Sequence, residues 1–171
     1  LIVTDDRKLA DKARMIRMYG MEKAYYSEIE GINSRLDELH AAILQVKFKR
    51  LEEDIKRRNQ ISDYYRQCLR NLDVVLPTVK KDCTHVYYLF VIKVQKRDEL
   101  LEYLKKKEIE GRIHFPTPIH LMRGYKFLGY KKGDFPVTEK TATEIISLPM
   151  YPHLQERELE KIVKAIRAFL K

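Results

Sequence analysis

Cysteine is scarce in the 171 residues: Cys68 and Cys83 are the only two. Neither belongs to a Cys-x-x-Cys pair, and no Cys/His group has the spacing of a zinc site. That pattern fits a reducing, cytoplasmic setting. No apolar run approaches the roughly 20 residues that a membrane span needs. No basic-then-apolar signal segment opens the chain. A Gly-rich phosphate loop, Gly-x-Ser-x-Gly and His-Glu-x-x-His are all missing, so neither a serine nucleophile nor a helical metal pair is indicated. There is no internal repeat and no low-complexity segment.

Charge is abundant by contrast. Lys and Arg exceed Asp and Glu by nine. The basic residues are mixed with acids along helical stretches, as in Lys49-Arg50-Leu51-Glu52-Glu53-Asp54. That is the pattern of a solvated helix face. No zinc finger or aromatic RNA-binding motif accompanies it, so neither nucleic acid nor membrane is the expected partner. The 44% hydrophobic content is that of a globular protein.

Leu1 to Thr4 reads as a strand already under way, so the chain is expected to begin inside a larger protein. Asp5 and Asp6 then cap a helix to about Tyr19, closed by Gly20. Met21 to Glu30 reads as a loop holding Tyr25 and Tyr26. From Leu36 to Leu69 there is neither Gly nor Pro. Leu36, Leu39, Ile43, Val46, Leu51 and Ile55 form an amphipathic stripe. Unbroken, this helix would reach roughly 50 Å, and Asn59 is a candidate break. Such a length suits a connection between domains or a subunit interface.

Asn71 to Asp73 reads as a boundary. Val74 to Val79 and His85 to Val94 are expected strands. Arg97 to Glu108 is an expected helix, and Arg112 to Phe115 a second strand after Gly111. Strand, helix and strand in this span fit a βαβ crossover or half of a split βαβ layer. A final helix from about Gln155 to Leu170 buries Leu159, Ile162, Val163, Ile166 and Phe169.

Two segments carry candidate chemistry. The first is Gly31-Ile32-Asn33-Ser34-Arg35-Leu36-Asp37-Glu38-Leu39-His40-Ala41-Ala42. It reads as a turn, a polar cap and a helix start, with Ser34 and Asp37 resembling a capping box. Asn33 and Arg35 would stand where free backbone N–H groups favour an anion. An ordinary helix cap is the competing reading. The second is His114-Phe115-Pro116-Thr117-Pro118-Ile119-His120, whose prolines stiffen a loop at a strand end. A histidine here could donate to a ligand oxygen; a plain structural loop is the alternative. Ser147-Leu148-Pro149-Met150-Tyr151-Pro152 is similarly stiff and is expected to pack rather than react.

In their order and spacing, these segments resemble the DegT/DnrJ/EryC1/StrS family of sugar aminotransferases. So do Val3-Thr4-Asp5-Asp6, the Arg14-to-Gly20 helix end, the His85-to-Val94 strand, Arg97-Asp98-Glu99-Leu100 and Gly133-Asp134-Phe135-Pro136-Val137-Thr138-Glu139. The look is nearest to enzymes acting on dTDP-linked 3-keto-6-deoxyhexoses. The resemblance implies an α/β to α+β chain. Residues 1–72 would be the end of an aspartate-aminotransferase-like large domain plus the connecting helix. Residues 73–171 would be a small C-terminal α+β domain.

It also implies pyridoxal 5'-phosphate as cofactor, a nucleotide-sugar substrate, an amino-acid donor, usually Glu, and a homodimer sharing its active site. Asn33 matches the family's Asn that reaches across the dimer to the cofactor phosphate, and Arg35 the cofactor-site Arg beside it, which points at that phosphate or at the substrate. His114, Phe115 and His120 match a loop near the bound nucleotide sugar, with Phe115 replacing a common Tyr. Tyr88 and Met122 replace a common His and Gln. The Schiff-base Lys of the family lies on a Ser-x-x-x-x-Lys segment that would precede Leu1, so no catalytic residue is nominated in this chain. A dehydratase of the same family, with His for that Lys, and a non-catalytic partner-binding module remain the alternatives.

Overall fold

Asp6 starts the first helix by side-chain capping. Its carboxylate accepts from the backbone N–H groups of Lys8 and Leu9, and α1 runs over Arg7–Ile16. The structure, a computed structural model, describes residues 2–171, which form two compact units, Leu1–Arg50 and Leu51–Lys171. Leu1 of the expected first strand lies outside the described residues, and residues 2–4 form no strand. A strand needs a ladder partner, and the described residues offer none there.

In the first unit, Tyr19 and Gly20 turn the chain out of α1 at φ 61° and 74°. The stretch expected as a loop is a small hairpin, β1 (Met21–Lys23) antiparallel to β2 (Tyr26–Ser27). Gly31 is required by proximity: a Cβ there would lie 2.0 Å from the Gly20 nitrogen. The chain then zips along the end of α1. Ile32 N–H donates to Ile16 at 2.8 Å and Ser34 N–H to Arg17 at 2.9 Å. Helix α2 follows over Glu38–Phe48 with Asp37 as its cap.

Two helices stand where one was expected. α2 ends at Phe48, and α3 spans Leu51–Leu69. The break falls at Lys49 and Arg50, not near Asn59. Glu52, Glu53 and Asp54 in the first turn of α3 suit a fresh helix N-terminus. Asn59 is absorbed into α3, its Nδ2 donating to Ile55 O at 2.9 Å and to His85 O at 3.3 Å.

The second unit holds the core. From α3, Ile61, Tyr65 and Leu69 recur every fourth residue and are fully buried. They share a cluster with Leu100 and Leu104 of α4 (Arg97–Lys106) and with Leu159, Ile162, Val163 and Ile166 of α6 (Glu156–Phe169). Gln155 and Glu158 form a capping box at the start of α6. The sheet is shorter than expected. β3 covers only Phe90–Lys93, paired antiparallel with β4 (Ile145–Leu148). Tyr87, at φ 44°, and its N–H bond to His85 Nδ1 at 2.8 Å keep His85 to Leu89 out of the ladder. Single bridges add Val75 beside Lys93 and Arg112 beside Ser147. β4 thus separates β3 from the Arg112 segment, and α4 connects the two, as in a split βαβ layer. α5 (Pro136–Glu144) precedes β4. No helix among the described residues is long and apolar enough to cross a membrane.

Candidate functional site

Asn33 and Arg35 do not sit in the first turn of a helix. Both are exposed on the extended segment before α2, where Asn33 bridges to Met18. Ser34 is not the cap, because α2 begins only at Glu38 and Ser34 lies in the extended segment, its N–H donating to Arg17 O. Asp37 takes that role, accepting from His40 N–H at 2.8 Å. That backbone bond, and a second from the His40 ring, hold the Asp37 carboxyl below its ordinary range. The anion at this helix start is therefore the protein's own. Arg35 Nε donates to Asn33 Oδ1 at 3.4 Å. The bond aligns the two side chains and leaves the Arg35 Nη groups and Asn33 Nδ2 as donors, a set suited to phosphate oxygens.

In the second unit, the sheet edge and α6 enclose a cavity of 540 Å³ whose wall includes Arg58, Tyr88, Arg112, His114, Ser147 and Tyr151. Ser147 is buried on β4 and its Oγ lies 2.9 Å from His114 Nδ1. A hydroxyl can donate or accept, so it orients the ring and leaves Nε2 for a ligand. Arg58 spans the mouth from α3, donating to Tyr87 O at 3.3 Å and to Tyr88 O and Met150 O at 3.5 Å. Tyr65 OH donates to Pro149 O at 2.9 Å, and burial pushes its phenol well up. Burial, and then Glu158, also raise the Tyr151 phenol, so it stays a donor at neutral pH.

His120 belongs to a different cluster. It is buried, and its Nε2 lies 2.9 Å from Glu139 Oε1. Its ring packs on Phe135 at 4.8 Å. Glu139 also accepts from Gly133 N–H at 2.8 Å and from Phe135 N–H at 3.4 Å. The His120 bond, then the Gly133 bond, hold the Glu139 carboxyl below its ordinary range. Phe115 is 71% exposed and lines a separate hollow of 330 Å³ with Ile119 of its own loop and Val137 and Thr141 of α5. Of the three loop candidates, only His114 faces the larger cavity. Sequence reasoning missed Arg58, whose carbonyl partners lie 29 to 92 residues away. It passed Ser147 over as packing; its place opposite a histidine appears only once β4 forms.

Over residues 1–167 the chain matches the model of the DegT/DnrJ/EryC1/StrS aminotransferase family. It is 38% identical over 168 residues to dTDP-3-amino-3,6-dideoxy-alpha-D-galactopyranose transaminase of Aneurinibacillus thermoaerophilus, covering 98% of this chain and 46% of that protein. It is likewise 38% identical to dTDP-3-amino-3,4,6-trideoxy-alpha-D-glucose transaminase of Micromonospora megalomicea subsp. nigra, at 97% and 46% coverage. The crystal structure of S. venezuelae DesV superposes with a TM-score of 0.93 at 34% identity, covering 99% of this chain and 46% of the other. A Brucella abortus aminotransferase matches with a TM-score of 0.88, again at 34% identity, covering 98% and 45%. The chain thus spans just under half the length of these relatives. Its mixed α/β fold is that of the corresponding part of sugar aminotransferases, and the chain belongs to the DegT/DnrJ/EryC1/StrS aminotransferase family.

Proposed function

We propose that this chain forms part of a pyridoxal-phosphate-dependent aminotransferase acting on a nucleotide-linked keto-sugar, with Glu as amino donor. The observation that carries the reading is the family match over nearly the whole chain. The names of the relatives support a dTDP-sugar substrate. Asn33 and Arg35 fit the phosphate end of the cofactor: an amide and a guanidinium side by side, exposed, with donors to spare. Bound there, the cofactor supplies an electron sink for the carbon that gains or loses the amino group. His114, held by Ser147, is the substrate-side donor, and Tyr151 offers a second protonated hydroxyl in the same cavity. On α2, Leu39, Ile43, Leu44, Val46 and Phe48 are apolar and exposed, which supports burial against further protein surface, as in a homodimer.

The test uses the protein at the full span of its relatives. It is mixed with pyridoxal phosphate, 2-oxoglutarate and dTDP-3-amino-3,6-dideoxy-alpha-D-galactopyranose. The expected products are Glu and the matching keto-sugar. No Glu from this sugar or from the 3,4,6-trideoxy analogue overturns the reading. Asn33→Ala and Arg35→Ala should each weaken cofactor retention about 10- to 150-fold, the loss of one charge-assisted hydrogen bond. His114→Ala should raise KM for the sugar and leave cofactor retention unchanged.

A further inference from the structure

A histidine ties down each end of the 114–120 loop. At the start, His114 Nδ1 meets Ser147 Oγ at 2.9 Å. At the end, His120 Nε2 meets Glu139 Oε1 at 2.9 Å. The side chains of that second pair are only 8% and 15% exposed. Between the pins, Pro116 and Pro118 limit the backbone. The loop's middle rests beside α5, where Phe115 and Ile119 share a hollow with Val137 and Thr141. Loop position thus depends on where α5 stands.

Glu139 sets that relation. Both its oxygens accept from Gly133 N–H, at 2.8 and 3.0 Å, and Oε1 also accepts from Phe135 N–H. Gly133 has φ +99°, a conformation that favours glycine, and this turn aims its N–H at the carboxylate. Phe135 precedes Pro136 at the start of α5 and packs on both the His120 ring and Tyr130. One carboxylate therefore gathers the loop end, the 131–135 turn and the first turn of α5. The arrangement commits His120 Nε2 to Glu139, away from any ligand.

We propose that Glu139 is a positioning residue for the His114–His120 loop, acting through His120. The role rests on the reading of that loop as the substrate-side wall. It moves His120 from substrate contact to support and leaves His114, which faces the larger cavity, as the loop group that meets the sugar nucleotide. Loss of the carboxylate frees the loop end but leaves the His114–Ser147 bond, so the cost falls on sugar recognition. The half-reaction with the amino-acid donor does not need the loop's exact seat.

The test compares full-span holoprotein with Glu139→Ala, Glu139→Gln and His120→Asn. Glutamine keeps an acceptor oxygen for Gly133 and His120. In Glu139→Ala, amides of residues 115–121 and 130–135 should exchange about tenfold faster, while those of β3, β4 and α6 stay unchanged. KM for the dTDP-amino-sugar should rise roughly tenfold, with kcat and KM for 2-oxoglutarate steady. Glu139→Gln should restore most of the protection and of the KM, and His120→Asn should resemble Glu139→Ala. Unchanged loop exchange in Glu139→Ala overturns the proposal, as does an equal loss in both half-reactions. A wild type that transfers no amino group overturns the transamination reading instead, and loop exchange then decides the role of Glu139 by itself.

Discussion

Single side chains here earn their roles from partners far away in sequence. Glu139 is one of many glutamates in a charge-rich chain, yet among the described residues it alone faces a buried histidine and two backbone N–H groups. Its carboxyl lies below the ordinary range in the folded protein, chiefly through the His120 bond. A folded value below the unfolded one makes the ionised carboxylate stabilising above the ordinary glutamate range. That stabilisation disappears as pH falls through the depressed folded value. The wild type should therefore exceed Glu139→Gln in thermal stability at neutral pH, and the gap should narrow on acidification. Melting temperatures of both proteins across a pH series check this; a gap that widens toward acid contradicts it. The pairing was not legible in sequence, because nothing in the spacing of residues 120 and 139 marks them as neighbours.

Elements were more legible where their signals are local. The Asp6 cap, the α6 stripe of Leu159, Ile162, Val163 and Ile166, and the α4 interior all follow from periodicity and capping chemistry. The α2 start was misjudged because two polar residues, Ser34 and Asp37, both suit a cap. Pairing of Ser34 N–H with Arg17 O, across 17 residues, holds the first in the extended segment, and the helix starts after Asp37. β4 escaped notice because Ile145 to Leu148 is short and leads into Pro149; pairing with β3 is what makes it a strand. Gly31 shows the same dependence. Its place in a turn was expected, but the close contact with Gly20 explains its need for no side chain. Gly31→Ala should cost the 16–33 region about 1–3 kcal/mol, as overpacking does. Faster amide exchange there, with α6 unaffected, is the expected measurement.

At the scale of the molecule, the two units differ in how they are held. Among the described residues up to Arg50, only Gly20 is buried, and neither α1 nor α2 buries a side chain. The unit from Leu51 onward contains the whole hydrophobic cluster. Residues 51–171 made alone should unfold in one cooperative thermal transition, while 1–50 alone should show none; circular dichroism on heating distinguishes the two. The sequence by itself determined α4 and α6 of the second unit, the stiff proline loop and, through ordered motifs, the family. These rest on short-range periodicity, backbone restriction and residue identity. Only the tertiary structure decided that β4 splits the strand pair, that Ser147 holds His114 and that His120 turns from the cavity to Glu139. Each of those depends on hydrogen bonds between segments 19 or more residues apart, and such contacts exist only after the chain has closed its loops.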